Sequence, residues 1–309
     1  ISLGLVGSEM CIRDSSKALL TVATVASVVT TASTAQALTL KVEVESLAPD
    51  GGVALTPVWV GFHDGSFDVY NGGQASPEGL ERIAEDGNPM VISADFLANR
   101  TYVQGGVSGV FASSQMGTRV DGAVGGAPIT AGTMAMSTFE VTPDVSNLYF
   151  SYTSMILPSN DYFLANGDPL AHSLSTLFSG ADTSISFEIG LPGSFRDAGT
   201  EVNDFNTSAG NGLFPGLPGG QTGPNQGADE NGVITSVTDS FANFQNRPTD
   251  FDTDFANLNF NNQTLYPNGI ARVTITVESV SESSTTVGLM AIAGLFVFGS
   301  LRRRNNDFS

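Results

Sequence analysis

The chain has 309 residues, 31 of them acidic and 12 basic, for a formal net charge of −19. So acidic a surface repels nucleic acid and anionic lipid, which excludes groove-binding and polybasic functions and leaves divalent cations and neutral or cationic partners. The single cysteine, Cys11, excludes a disulfide framework, and its place upstream of the export signal read below leaves the mature region without a thiolate for zinc.

In chain order, residues 1–16 read as a leader outside the exported protein, either a mis-called start or a non-native addition. Residues 17–37 read as a secretory signal: basic residues at Arg13 and Lys17, an apolar run from Ala18 to Thr30, then small residues closing at Ala35-Gln36-Ala37, with cleavage expected after Ala37. A short membrane anchor or a buried helix is the alternative, but the apolar run is brief for ~30 Å of hydrocarbon and stops at an A-x-A site. Residues 38–280 form the expected folded domain. The chain without residues 1–37 and 302–309 has a formal charge of about −21, and Lys41 is the only lysine left in it.

Strand-like alternation is cleanest at Leu38 to Glu45, where Leu38, Leu40, Val42 and Val44 share one face. Met134 to Val141, Asn147 to Leu157, Thr56 to Phe62 and Ser184 to Leu191 are further candidates. Ile270 to Val277 closes the series, with Ala271, Val273, Ile275 and Val277 on one face. Pro77 to Asp86 predicts a helix, with proline at its first turn and Gly87 just past its end. A second short helix is expected over Pro169 to Phe178. Strands broken by Gly, Pro, Asn and Asp predict an all-β antiparallel sandwich with long loops and one or two short helices. Thr200 to Gly232 reads as a site loop, and Thr238 to Asn268 as an excursion before the last strand.

Residues 281–309 carry an apolar segment, Val287 to Leu301, followed by Arg302, Arg303 and Arg304, a stop-transfer arrangement with its basic side in the cytoplasm. This end resembles the PEP-CTERM sorting tail of bacterial surface proteins, with Ser281-Glu282-Ser283-Ser284 where that family usually has Pro-Glu-Pro. A plain C-terminal anchor is the alternative. Both readings place the folded domain outside the membrane, touching it only through this segment.

Four blocks carry a second resemblance: Leu55 to Asp68 (LTPVWVGFHDGSFD), Leu80 to Gly87 (LERIAEDG), Met155 to Asp161 (MILPSND) and Asp197 to Glu201 (DAGTE). In this order they resemble the spondin N-terminal domain family, and Gly223 to Gly232 is similar to its bacterial members. The resemblance implies a C2-like antiparallel β-sandwich of about eight strands with one calcium ion held by loops at one end. It implies Asp161, Asp197 and Glu201 as acidic ligands and the Arg196 carbonyl as a further one. Arg196 stands where the family usually has an aromatic residue, and Glu201 where animal members have Asp.

The residues themselves are compatible with that site. Calcium takes six to eight oxygens at ~2.4 Å, and Gly199 allows the Asp197 and Glu201 carboxylates to fold inward toward Asp161. Solvated loop acids are the plain alternative. Asn203, Asp204, Asp229 and Glu230 are weaker candidates for additional ligands. His63 and Asp64 could be drawn as a base with its orienting acid, but no nucleophile motif accompanies them, and they read better as organisers of the turn after a strand whose Trp59 is core.

Two functions remain open: a secreted or cell-surface calcium-binding module contacting extracellular matrix, exopolysaccharide or a surface protein, and an extracellular hydrolase using the acidic loops. Only oxygen ligands stand out, without a matched acid, base or nucleophile. The adhesion reading leads, and the chain is not expected to be an enzyme.

Overall fold

The computed structural model describes residues 36–98, 100–103, 107–110, 119–203, 227–238 and 257–278. The expected leader, nearly all of the signal, the C-terminal segment and much of both long loops lie outside these residues. The elements in chain order are β1 (Leu38–Ser46), β2 (Ala54–Leu55), β3 (Val58–His63), α1 (Glu78–Asp86), α2 (Met90–Leu97), β4 (Arg100–Val103), β5 (Val107–Val110) and β6 (Val120–Val124). They continue with β7 (Met134–Val141), β8 (Tyr149–Leu157), β9 (Tyr162–Ala165), α3 (Ser175–Phe178), β10 (Ser184–Ile189), β11 (Arg196–Asp197), β12 (Thr235–Ser236) and β13 (Ala271–Val277).

Two antiparallel sheets pair most of these strands, one in the order β10-β13-β1-β7 and the other β12-β11-β9-β8-β3-β6, with β2 also paired to β8, while β4 and β5 pair only with each other. Set aside the two-residue β2, β11 and β12 and the β4–β5 hairpin, and eight strands among the described residues build the sandwich. The alternation read in β1 is realised: Leu40, Val42 and Val44 are buried, and Val42 lies opposite Ile275 of β13 and Ser137 of β7. These residues meet Val60 and Phe62 of β3, Phe150 of β8 and Leu164 of β9 in one core between the sheets. Each fully buried side chain of this kind contributes about 1.5–3 kcal/mol of transfer free energy.

The larger sheet is covered on its second face as well, which explains why β3 is buried at every position. Trp59 points away from the sandwich core into a second cluster with Phe67, Leu80, Ile83, Phe96 and Phe163. The Trp59 and Phe96 rings meet edge-on at 5.3 Å, and Trp59 Nε1 donates to Asp121 at 2.8 Å. Gly61 lets α2 approach, since a Cβ there would lie 3.0 Å from the Phe96 ring.

The helix read at Pro77–Asp86 forms from Glu78, with Pro77 at its N-cap and Gly87 ending it at φ 65°. The second predicted helix shortens to α3. Asp168 accepts the Leu170 N–H at 2.9 Å in a local turn, and the His172 carbonyl accepts from Phe150 of β8, so this backbone is committed to the sheet. The predicted strand from Thr56 begins only at Val58, because Pro57 has no N–H for a ladder. Helix α2 was not foreseen; its apolar run MVISADFL lacks a polar cap and a clear period.

Candidate metal centre

The site grows from the turn between β8 and β9. Ser159 Oγ donates to the Ile156 carbonyl at 2.6 Å and accepts the Tyr162 N–H at 3.0 Å, which closes the turn and puts Asp161 at the mouth of β9. Strand β11 pairs there, with Asp197 opposite Tyr162 and the Ala198 N–H donating to the Asp161 carbonyl. The chain then turns through Gly199 at φ 66°, where a Cβ would meet the Val233 backbone at 2.7 Å. Only glycine fits this turn without strain.

The turn aims main-chain donors at Asp161. Its Oδ2 accepts the N–H of Thr200 at 2.9 Å, the N–H of Glu201 at 3.1 Å and the hydroxyl of Thr200 at 3.2 Å. Asp197 braces the same loop, accepting the Gly199 N–H and the Asn203 side-chain amide, each at 2.7 Å. A second segment then runs alongside: Val202 donates to the Ala228 carbonyl, Glu230 to Thr200 and Gly232 to Gly199. This pairing delivers Glu230, so that Asp161, Asp197 and Glu230 each offer a carboxylate oxygen within 4.8 Å of the other two.

Among the described residues this acidic trio can hold a metal ion, and its chemistry favours one. Asp161 is fully buried, and its Oδ1 has no hydrogen-bond partner. Burial, reinforced by the charge of Asp197, pushes its carboxyl up from 3.8 to about 8 against the donors from Glu201 and Thr200. Burial and Asp197 also raise Glu230. A bound cation would satisfy the orphaned oxygen and offset the repulsion among the three carboxylates. The donors are all oxygen, with neither imidazole nor thiolate, so the set suits a hard cation.

The expected ligands are placed differently from one another. Asp161 and Asp197 come together, and Glu230, a weaker candidate in the sequence, completes the trio. Glu201 contributes its N–H, while its buried carboxylate turns to the Gly227 amide, accepting at 2.9 Å. Arg196 pairs in register with Phe163 on one side and Ser236 on the other. Asn203 supports Asp197, Asp229 pairs opposite Glu201, and Asp204 lies outside the described residues.

His63 ends β3 and is fully buried. Its Nδ1 accepts the Gly65 N–H at 3.0 Å, which leaves the Nε2 proton for Ser151 Oγ at 2.8 Å. Asp64 accepts from Ser66 and from Arg119 instead of from the imidazole. Both residues therefore hold the turn after β3 in place.

The chain matches no protein-family model and no curated relative. Fold and site together define an all-β antiparallel sandwich with an acidic, oxygen-only cluster at one loop end that can hold a metal ion.

Proposed function

We propose that this domain is an exported calcium-binding module for adhesion or matrix contact at a bacterial cell surface, of the spondin N-terminal type. The observation that carries the reading is Asp161, a fully buried carboxylate with one oxygen unsatisfied beside two further carboxylates. Calcium fits better than magnesium because the ligands come from loops and can fill a large, irregular shell, whereas magnesium demands a near-ideal octahedron. A cation that binds only the folded site stabilises by about 2.7 kcal/mol at a hundredfold excess over Kd. In a domain without disulfides that contribution helps fix the loops of a rigid scaffold. Matrix, exopolysaccharide or a surface protein is the partner class, and the signal-like 17–37 and the segment 281–309 support export and surface retention.

The test is retention of the purified protein on exopolysaccharide-rich matrix in calcium and in EDTA, beside the double variant Asp161→Asn, Asp197→Asn. Retention in calcium that EDTA and the variant both abolish is the expected result. Retention indifferent to both would contradict a role for calcium, and no retention would contradict adhesion.

A further inference from the structure

The described side chains include five cations, and four are neutralised by carboxylates: Lys41 by Glu43, Arg82 by Asp86, Arg119 by Asp64, and Arg272 by Glu45 and Glu188. Arg196 has no carboxylate partner among the described residues. In a chain with 31 acids and 12 bases, a guanidinium without a carboxylate partner among the described residues differs from the other four cations. It lines a cleft of about 420 Å³ with Tyr70, Asn71, Gly72, Thr235 and Ser236.

This cleft is a built feature. The guanidinium lies over the Tyr70 ring at 5.8 Å, and its Nη1 donates to the Gly193 and Phe195 carbonyls at 3.1 and 2.8 Å. Its Nη2 and Nε have no acceptor among the described residues. The facing wall is pinned by reciprocal bonds: Gly73 donates to the Ile234 carbonyl and Ile234 to that of Gln74, each at 2.8 Å. Gly167 lets the Tyr70 hydroxyl close in, since a Cβ there would lie 2.7 Å from it. Arg196 and Asp197 are successive strand residues, so their side chains leave opposite faces of the sheet. The cleft and the acidic trio are therefore separate sites.

We infer that this cleft binds a singly charged acidic sugar residue, a uronate, with Arg196 taking the carboxylate and Asn71 and Ser236, which is in register with Arg196, offering polar groups to the hydroxyls. One cation among neutral polar groups suits one carboxylate on a polyhydroxylated ring. A dianionic phosphate or sulfate asks for more positive charge than the cleft has, and the net charge repels a densely charged polymer. The volume lies in the range of small-molecule sites and admits a sugar residue. The choice of a glycan rests on the matrix-contact reading; the site itself does not depend on the cation.

The experiment is titration of the purified chain, in EDTA, with a disaccharide ending in glucuronate, beside its glucose-terminated counterpart and inorganic phosphate. The uronate should bind in EDTA, and Arg196→Gln should weaken it about ten- to a hundredfold, the cost of losing a charge-assisted pair. Because Arg196 also braces the 193–196 turn, Gly72→Phe is the second variant. Gly72 lines the cleft and a Cβ there meets nothing within 4 Å, so a bulky ring can be placed at the cleft wall without a clash and with Arg196 intact, and it should also weaken binding. Absence of uronate binding, equal binding of the neutral sugar or of phosphate, or uronate binding unchanged in both variants would overturn the inference. Uronate binding lost in these variants but kept in Asp161→Asn would uphold this site even where the calcium reading fails.

Discussion

Asp161 accepts the main-chain N–H of Glu201 at 3.1 Å, while the Glu201 carboxylate turns the other way to the amide of Gly227. Two acids that the sequence reads as equivalent ligands are thus divided by the turn at Gly199: one faces the cation cluster, and the other ties the loop to the segment that brings Glu230.

That division separates two variants. Glu230→Gln should weaken cation affinity by at least about tenfold with little change in the stability of the metal-free protein, since ligand charge sets affinity and Glu230 is exposed. Glu201→Gln should cost about 1 kcal/mol of stability through its buried bond to Gly227 and affect affinity less. Urea unfolding beside calcium titration of both variants checks this.

Gly199→Ala forces a Cβ into the Val233 backbone at a φ of 66°. The expected cost is about 1–3 kcal/mol. Because Gly199 and Gly232 are hydrogen-bonded to each other, the strain also falls on the pairing that positions Glu230. The variant should lose both stability and cation affinity, read by thermal melting with and without calcium.

Asp161 sets a pH dependence of unusual sign. Its folded pKa, about 8, lies above the ordinary 3.8, so between these values the unfolded chain releases a proton that the metal-free folded chain keeps. This contribution to stability is fully present below pH 4 and is lost as the pH rises toward 8. Calcium should reverse the trend, because it binds the ionised form. Urea midpoints of the metal-free protein from pH 5 to 8 should fall relative to Asp161→Asn, and calcium should restore them.

The two histidines act at the acid side. Burial first, then Arg119, opposed by Asp64, lowers His63 to about 3, and burial, opposed by Asp168, lowers His172 to about 4 where it stacks on Phe187. A histidine with a depressed folded pKa contributes stability that is complete above 6.5 and is lost as the pH falls toward the folded value. Each should add about 1.4 kcal/mol per pH unit to the acid slope within its window. Replacing either by Gln should reduce that slope, whatever it does to stability at pH 7.

Much of the sandwich was legible because β1 and β13 alternate with a period of two and each has one buried face. Trp59 and β3 were legible as core, though not as buried on both faces, since α2 gives no periodic signal. Asp161 and Asp197 were legible only through the resemblance of short blocks to a known family, since their spacing alone reads equally as solvated loop acids. Glu230 could be listed but not ranked: residues 199–202 pair with 228–232 across a long intervening stretch, and no local pattern encodes a register set by backbone bonds between distant segments.

The most direct measurement is calorimetric titration of the metal-free protein with calcium, beside magnesium and the variant Asp161→Asn, Asp197→Asn. The account predicts about one calcium per chain, tighter than magnesium, and no binding in the variant. No calcium binding by the wild type, or equal binding by the variant, would contradict the assignment of the Asp161, Asp197 and Glu230 cluster as a calcium site.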